Sequence, residues 1–483
     1  MVAFGPVLFI IGLLMSLLAV AMGLPAIADL ATGNSDWQVF AGSAAVSLFV
    51  GVSLMLTTRT GMHTHLNLRQ AFLLTTMSWV AVAAVGALPF AFSKLDLSIA
   101  DAFFESMSGI TTTGSTVMVG LDSAPPGILL WRALLQWLGG VGIIVMALAM
   151  LPMLSVGGMQ LFQTEAFDAP DKVLPRAAQL AGGIFVIYLL LTGICAFGLW
   201  LAGLPGFDAI THAMGTIATG GYSTKDASVG HFRNETAEWI IVAGMIIGSL
   251  PFVYYLRAVR GDLISMRRDS QVRWFLAIVL LAVSSVAIWI WLKGEFSFLG
   301  AIRYASFNVI SVLTGTGYTT TDFGLWGGFP VMLMLCLMFV GGCAGSTTCG
   351  IKIFRFQVLY ATTSAQVRRL LLPHGVFIPY YNKKAIPENV SDAVMGFFFL
   401  YIVCFGALAA ALAALGLDFI TAISGAATAI SNVGPGLGDV IGPSGNFSSL
   451  PESAKWLLSF GMLLGRLELF TVLVMFSPTF WTR

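Results

Sequence analysis

The sequence predicts an all-α membrane protein with ten transmembrane helices and four re-entrant loops. Composition is the first observation behind this prediction. Of the 483 residues, 57% are hydrophobic and only 10% are charged, whereas soluble globular proteins contain about 25% charged residues. A soluble core could not hide this much apolar surface, so we expect most of the chain to face lipid. The formal net charge of +1 gives no reason to expect a nucleic-acid partner.

The second observation is a set of ten apolar stretches, each long enough to cross a bilayer, since a spanning helix needs about 20 mostly apolar residues. They lie near residues 3–24, 37–57, 70–92, 128–154, 180–203, 237–258, 273–292, 329–360, 391–416 and 455–476. No Lys or Arg precedes the first stretch, so we expect a retained span rather than a cleaved signal peptide.

The charges between these stretches predict the orientation of the chain. The connections near 58–69, 155–179, 257–273 and 352–390 contain fifteen Lys and Arg residues, whereas the connections on the opposite side contain six. The positive-inside rule places the basic group in the cytoplasm. Because the number of stretches is even, both termini are expected there too.

The third observation is a sequence repeat on the predicted outer side. The connections after spans three, five, seven and nine each begin with an apolar stretch too short to span, and then become rich in Gly and Thr. They read FFESMSGITTTGST (103–116), ITHAMGTIATGGYS (210–223), NVISVLTGTGYTT (308–320) and AATAISNVGPGLG (426–438).

These four segments superimpose on a glycine that follows an aliphatic residue by four positions. The aligned glycines are Gly114, Gly221, Gly317 and Gly434, which are 107, 96 and 117 residues apart. The spacing indicates a repeated unit of roughly 100 residues. We expect each unit to contain an outer helix, a short re-entrant helix, a Gly-containing strand and an inner helix.

The physics of the bilayer indicates what such segments do. Non-helical backbone at membrane depth is stable only where it is buried in protein or lines water. Four extended segments that return to the same side can surround one axis, where their carbonyl oxygens replace the hydration shell of an alkali cation. Glycine permits the backbone angles that aim carbonyls inward, and threonine hydroxyls can add further oxygen ligands. The alternative is that these segments are ordinary Gly/Thr-rich loops. That explanation would suit a single segment, but it does not explain four segments with the same spacing.

The starts of the short helices also favour a cation. We expect Asp101, Asp208 and Asp418 to be their N-caps, because a carboxylate suits the positive end of a helix. The partly negative opposite ends then point toward a common cavity. The third short helix contains Arg303 and has no capping Asp.

With these four segments, the sequence resembles the Trk/Ktr/HKT superfamily of potassium transporters from about residue 70 onward. Its two additional N-terminal spans resemble the TrkH branch. The resemblance implies four covalently linked potassium-channel-like repeats around one pore, usually paired as a homodimer in a bacterial inner membrane. It also implies that K⁺ is the transported ion and that its filter residues are Thr111, Thr112, Thr113, Gly114, Ala218, Thr219, Gly220, Gly221, Thr314, Gly315, Thr316, Gly317, Ser431, Asn432, Val433 and Gly434.

The resemblance also predicts how the chain is divided. An N-terminal two-helix extension (1–69) precedes four pore repeats, and the third of these has a broken inner helix. The repeats are expected at 70–155, 156–260, 261–372 and 373–483.

The predicted inner helix of the third repeat contains GGCAGSTTCG (341–350). Glycine interrupts helices through its backbone freedom, but Gly341 and Gly345 also form a GxxxG pair that fits close packing of continuous helices. The residues alone leave both alternatives open. In the superfamily this place holds an intramembrane loop that blocks the pore. The implied gate residues are Gly341, Gly342, Ala344, Gly345, Ser346 and Gly350.

Arg466 lies in the last apolar stretch, where an unpaired arginine costs at least about 2.5–3.5 kcal/mol. Glu468 is the only deep carboxylate that the sequence indicates, and an ion pair between residues two apart on one helix is poor. The resemblance implies that Arg466 faces the pore beside the Gly-rich loop. Lys352 is expected either to act similarly or to mark the cytoplasmic edge. Arg132, near the outer end of its helix, is expected to snorkel or to anchor the pore helix.

The basic stretches near 257–273 and 352–389 form the predicted cytoplasmic surface. Topology and contact with anionic lipid would explain them, but the resemblance implies a TrkA-type cytosolic ring protein that binds nucleotide. The chain itself has no Walker motif and no GxGxxG between a strand and a helix. Nucleotide is therefore expected on the partner.

Two other classes of function fit less well. An alternating-access secondary cation transporter shares broken helices and repeats, but it predicts inverted repeats and carboxylates at the midplane, whereas these repeats read in parallel. A membrane enzyme would need a catalytic or metal-binding set, and no His, Glu or Cys residues have such spacing. We therefore expect no enzyme and no covalently bound cofactor.

Overall fold

The computed structural model describes residues 4–59, 67–149, 158, 173–262 and 264–482. These residues form helices and one short antiparallel hairpin, so the predicted helical class is confirmed. Within them, seven helices are long and apolar enough to cross a membrane, and up to nine spans result if each of two bent helix pairs counts as one. The bent pairs turn by 94° and 109° at their breaks.

The first eleven helices are α1 Gly5–Ala21, α2 Gly23–Ala31, α3 Trp37–Thr58, α4 Leu68–Gly86, α5 Leu88–Phe92, α6 Ile99–Ile110, α7 Pro126–Ala149, α8 Val173–Leu201, α9 Gly206–Ala218, α10 Glu235–Gly248 and α11 Phe252–Val259. The remaining elements are α12 Ile264–Arg268, α13 Ser270–Leu292, α14 Phe298–Leu313, α15 Gly328–Met338, α16 Ile353–Leu371, β1 Tyr380–Tyr381, β2 Lys384–Ala385, α17 Glu388–Ala414, α18 Phe419–Ser431, α19 Gly438–Ile441, α20 Glu452–Arg466, α21 Phe470–Leu473 and α22 Pro478–Thr482.

The seven candidate spans coincide with seven of the ten predicted stretches. Two other predicted stretches, 237–258 and 455–476, correspond to the bent pairs α10–α11 and α20–α21. The stretch at 329–360 is no continuous helix, because α15 ends at Met338 and α16 begins at Ile353. The end of the stretch at 128–154 lies outside the described residues.

Four helices are apolar but too short to span. The helices α6, α9, α14 and α18 have 12, 13, 16 and 13 residues, which gives lengths of about 18–24 Å against a hydrocarbon core of about 30 Å. Nearly all residues in their second halves are buried. They therefore lie within the protein rather than along lipid.

The packing of the short helices follows a closed circle. In order, α6 packs on α7, α7 on α9, α9 on α10, α10 on α14, α14 on α15, α15 on α18, α18 on α20, and α20 returns to α6. Each of the intervening helices α7, α10, α15 and α20 thus contacts the short helix before it and the next one. Because the circle closes, the four short helices surround a common axis.

The N-terminal helices lie on one side of this circle. The helices α1 and α3 pack along each other, α1 also contacts α4, and α2 contacts α7. The close approach of α1 and α3 needs glycine, because a Cβ atom at Gly12 would lie 2.6 Å from the Gly51 carbonyl oxygen.

Candidate functional site

The four short helices end in the same way. In each, a residue in the left-handed region donates its N–H to the carbonyl three residues back, and the next N–H bonds the carbonyl five residues back. This pattern is the Schellman motif. The left-handed residues are Thr112, Thr219, Gly315 and Asn432, with φ of 53°, 51°, 67° and 53°. Only one of them is glycine, so the other three each carry roughly 1–2 kcal/mol of backbone strain, which the surrounding structure must hold.

Two residues further along, each segment has a second left-handed residue. These are the aligned glycines Gly114, Gly221, Gly317 and Gly434, with φ of 87°, 78°, 83° and 112°. The residue between the two left-handed positions has a negative φ in all four segments. The sign of φ therefore alternates along each segment, which turns successive carbonyls toward the same side.

The four glycines connect the segments into a ring. At each glycine, a Cβ atom would lie within 3.0 Å of a carbonyl oxygen of the following segment, closer than real Cβ atoms approach their neighbours. The pairs are Gly114 with Gly220, Gly221 with Thr316, Gly317 with Val433, and Gly434 with Thr113. Every carbonyl in this series belongs to the residue just before an aligned glycine, and the fourth pair returns to the first segment. Glycine is required because the backbones touch here.

An outer cavity of about 80 Å³ opens onto this ring. All four aligned glycines line it, together with Arg132 and residues that follow the segments. Its volume suffices for a few water molecules. One polar space therefore meets the ends of all four segments.

The predicted starts of the short helices need correction. Ser98 is the N-cap of α6 and Pro205 that of α9, so Asp101 and Asp208 lie in the first turn instead. Asp418 is the N-cap of α18 as predicted, and its carboxylate accepts two backbone N–H groups. The carboxylates at 101 and 208 still lie at the positive helix ends, whereas a serine caps α14.

Residues 339–352, between α15 and α16, are not helical. A bridge pairs Val340 with Ile351, and Gly345 and Gly350 have φ of 75° and 69°. The alternative of a continuous helix with GxxxG packing is therefore wrong for this segment. We call residues 339–352 the inner loop.

The inner loop is bonded to the break between α10 and α11. Cys343 and Thr347 donate their N–H groups to the carbonyls of Ser249 and Gly248 at 3.0 and 3.2 Å. The Thr347 hydroxyl lies 2.9 Å from the Gly248 oxygen and 3.1 Å from the Ile217 oxygen at the end of α9. These contacts place the loop against the base of the second segment.

The other predicted gate residues take part in the same loop. Gly341 donates to Ile351 at 3.0 Å, and Gly342 donates to the Thr348 hydroxyl at 3.0 Å. Ala344 donates to the side chain of Gln271 at 2.9 Å. Further loop contacts are those of the Ser346 hydroxyl with Cys343 and of the Gly345 carbonyl with Phe252.

Arg466 is buried at the end of α20, with 2% of its surface exposed. Its Nη1 donates to the Thr347 carbonyl at 3.1 Å and its Nη2 to the Gly139 carbonyl at 2.9 Å. The guanidinium thus joins the inner loop to α7. Cys349, which also contacts this guanidinium, lies 4.0 Å from the Thr111 carbonyl through its Sγ atom, so Arg466 is next to the base of the first segment.

Glu468 pairs with Arg355 of α16 and not with Arg466. Lys352 is buried and its ammonium donates to the Thr348 carbonyl, so it belongs to the loop rather than to an exposed edge. A cavity of about 20 Å³ lies among the inner loop, Lys352, Arg466 and Glu468. It has room for about one water molecule and is too small for a hydrated cation.

Sequence reasoning missed a second deep carboxylate. Glu105 in α6 is fully buried, and its Oε1 lies 2.8 Å from Nε of Arg132, which is 1% exposed. Arg132, which lies on α7, therefore anchors the short helix α6, one of the two predicted roles. The sequence offered a signal, because Glu105 is a charged residue in the middle of a short helix, among apolar and small residues and beyond its acidic first turn.

Comparison with known proteins agrees with this geometry. The family model of the cation transport protein TrkH matches residues 35–483. The potassium uptake protein TrkI of Halomonas elongata is 43% identical over 99% of this chain and 97% of its own length, and TrkH of Escherichia coli K12 is 40% identical over 98% of each.

Among solved structures, the crystal structure of the potassium transporter TrkH from Vibrio parahaemolyticus superimposes with a TM-score of 0.92. It is 37% identical in sequence, and the match covers 99% of this chain and 100% of that one. Transport, rather than enzymatic catalysis, is what these proteins are named for. This chain belongs to the TrkH family of cation transport proteins.

Proposed function

We propose that this chain is the potassium-conducting membrane subunit of a Trk-type uptake system. Four covalently linked repeats, at 70–155, 156–260, 261–372 and 373–483, surround one pore, and residues 1–69 form an extension. The observation that supports this most strongly is the closed ring in which each aligned glycine meets a carbonyl of the next segment. A carrier with inverted repeats would not bring four segments of the same direction to one axis.

The chemistry of the ring suits a dehydrated alkali cation. The ligands that replace the hydration shell of the cation are the carbonyl oxygens of Thr113, Gly220, Thr316 and Val433. The C-terminal ends of four short helices converge at the same place and add negative potential. Relatives that match almost the whole chain are named potassium uptake proteins, which favours K⁺ as the transported ion.

The inner loop and Arg466 form the gate of this pore. The loop is bonded to the base of the second segment and contacts the base of the first, and Arg466 joins it to α7. The cavity among these described residues has a volume of about 20 Å³, which is too small for a hydrated cation, and we assign the conformation to the shut state. A fixed positive charge beside the path raises the barrier for cations further.

Three further features of the proposal rest on the family. The subunit works as a homodimer in the bacterial inner membrane, with both termini in the cytoplasm. A TrkA-type cytosolic ring protein binds nucleotide and docks on the basic cytoplasmic stretches near 257–273 and 352–389. The movement that opens the pore reaches the inner loop through α16, which begins directly after it.

The experiment that tests this proposal is rubidium uptake by the purified chain in lipid vesicles, with sodium competing. We expect passive uptake that is driven by the membrane potential and only weakly inhibited by sodium. Absence of uptake, with or without a cytosolic ring protein, would contradict the proposal. Uptake that requires a coupling ion and saturates as in a carrier would favour alternating access instead.

The gate is tested by shortening residues 341–350 within the inner loop. The shortened chain is expected to take up rubidium at a rate that depends less on the cytosolic ring protein. The reason is that the loop no longer blocks the path beneath the carbonyls of the four segments. The unmodified chain, with residues 341–350 intact, is the control. Equal dependence of both chains on the ring protein would remove the loop from the mechanism.

A further inference from the structure

The four short helices carry different side chains at one equivalent position, nine residues before the aligned glycine. These residues are Glu105, His212, Asn308 and Gly425. The first three side chains bond the backbone or hydroxyls just beyond the ring. Glu105 accepts from Thr116 and Val117, His212 bonds Ser223, and Asn308 bonds Thr320. Gly425 has no side chain, and the neighbouring Ser424 bonds Leu437 in its place.

Glu105 is the one charged residue of these four, and its partner joins two segments. Arg132 Nε lies 2.8 Å from Glu105 Oε1. The same guanidinium donates to the Ser223 carbonyl at 2.7 Å and to the Thr116 hydroxyl at 3.1 Å. It also lies 4.0 Å above the ring of Tyr222. Thr116 follows the first segment, whereas Tyr222 and Ser223 follow the second, so this ion pair bridges neighbouring segments.

We propose that the Glu105–Arg132 ion pair is a positioning element that sets cation selectivity by holding the first two filter segments in register. The inference rests on the proposed function. Buried ion pairs contribute little net stability, but their geometry is strict, and loss of one partner leaves an uncompensated charge. Selectivity by carbonyls depends on the number and spacing of the ligands. A rigid bridge at the outer ends of two segments fixes that spacing.

The pair also neutralises the outer mouth. Arg132 lines the outer cavity together with the aligned glycines, and a free guanidinium there would repel entering cations. Glu105 cancels this charge at a distance of 2.8 Å. Loss of the carboxylate alone should therefore slow uptake of every cation, whereas loss of both charges should restore entry but loosen the spacing.

The test compares two double variants in the rubidium uptake assay with sodium competition. Glu105→Gln/Arg132→Met removes the bridge. The matched control Glu238→Gln/Arg303→Met removes a partly buried pair that joins α10 to α14 at 3.0 Å, together with the contact of Arg303 with the exposed Glu235, without touching a filter segment. We expect the preference for rubidium over sodium to fall about tenfold in the first variant and to stay at the wild-type value in the control. The single Glu105→Gln variant should lower uptake of both ions.

A milder variant covers the case in which the double variant does not fold. Thr116→Val removes the hydroxyl that bonds both partners, and it should shift the preference in the same direction by a smaller factor. Wild-type preference in whichever of the two variants folds would overturn the inference while the proposed function stands. Absence of cation uptake by the unmodified chain would instead refute the proposed function itself.

Discussion

The substitution Gly221→Ala tests the ring of backbone contacts. Gly221 has a φ of 78°, and a methyl group there would overlap the Thr316 carbonyl oxygen. Gly120→Ala is the matched control, because its φ is 77° while the nearest atom to its Cβ would be 3.8 Å away. In both variants, an alanine in the left-handed region destabilises the folded protein by about 1–2 kcal/mol. Only Gly221→Ala must also push two segments apart.

The expected consequence follows from this difference. Both variants should lose stability from the left-handed residue, measured as thermal unfolding in detergent, and Gly221→Ala should lose more because its methyl group also overlaps the Thr316 carbonyl. In vesicles, Gly221→Ala should reduce rubidium uptake at least about tenfold, since a displaced carbonyl ring that raises the barrier by about 1.4 kcal/mol has that effect, whereas Gly120→Ala should keep wild-type uptake. Wild-type uptake and ion preference in Gly221→Ala would refute the reasoning.

Three other predictions concern the gate, the packing and a helix cap. Arg466→Ala should raise rubidium flux through the shut state, because the bonds from α20 to the inner loop and α7 are lost, and unchanged flux would remove this arginine from the gate. Gly139→Ala should destabilise the protein far more than Gly142→Ala in thermal unfolding, because a Cβ at 139 would overlap a carbonyl at the end of α6, whereas one at 142 would have 3.9 Å of space. Hydrogen bonds from the Thr421 side chain and backbone hold the pKa of Asp418 below its ordinary 3.8. Its stabilising effect should be complete above about pH 4 and be lost as the pH falls through the lowered value, and Asp418→Asn should abolish that pH dependence.

The main elements of the fold could be predicted from the sequence because lipid imposes simple rules. Apolar length alone locates the seven continuous spans. The alignment of the four segments could also be predicted. The glycines that follow an aliphatic residue by four positions have positive φ and lie against the backbone of the next segment. Glycine is informative there because no other residue fits between touching backbones.

Contacts between side chains far apart in the sequence could not be predicted in the same way. The ion pairs of Glu105 with Arg132 and of Glu468 with Arg355 join residues far apart in sequence, and spacing within one helix gives no indication of them. The N-caps of α6 and α9 were placed at the aspartates, because Asp is a good cap, but the helices begin earlier. The bend between α10 and α11 lies against the inner loop, whose Cys343 and Thr347 N–H groups bond the carbonyls at this break, and nothing in the local sequence indicates this contact.

The most direct test of one shared ion path is anomalous X-ray diffraction from crystals of this protein soaked in rubidium. The four-segment pore predicts rubidium density on the axis, within coordination distance of the carbonyls of Thr113, Gly220, Thr316 and Val433. An axis without rubidium in a protein that still takes up the ion, or rubidium bound elsewhere in the bundle, would contradict it.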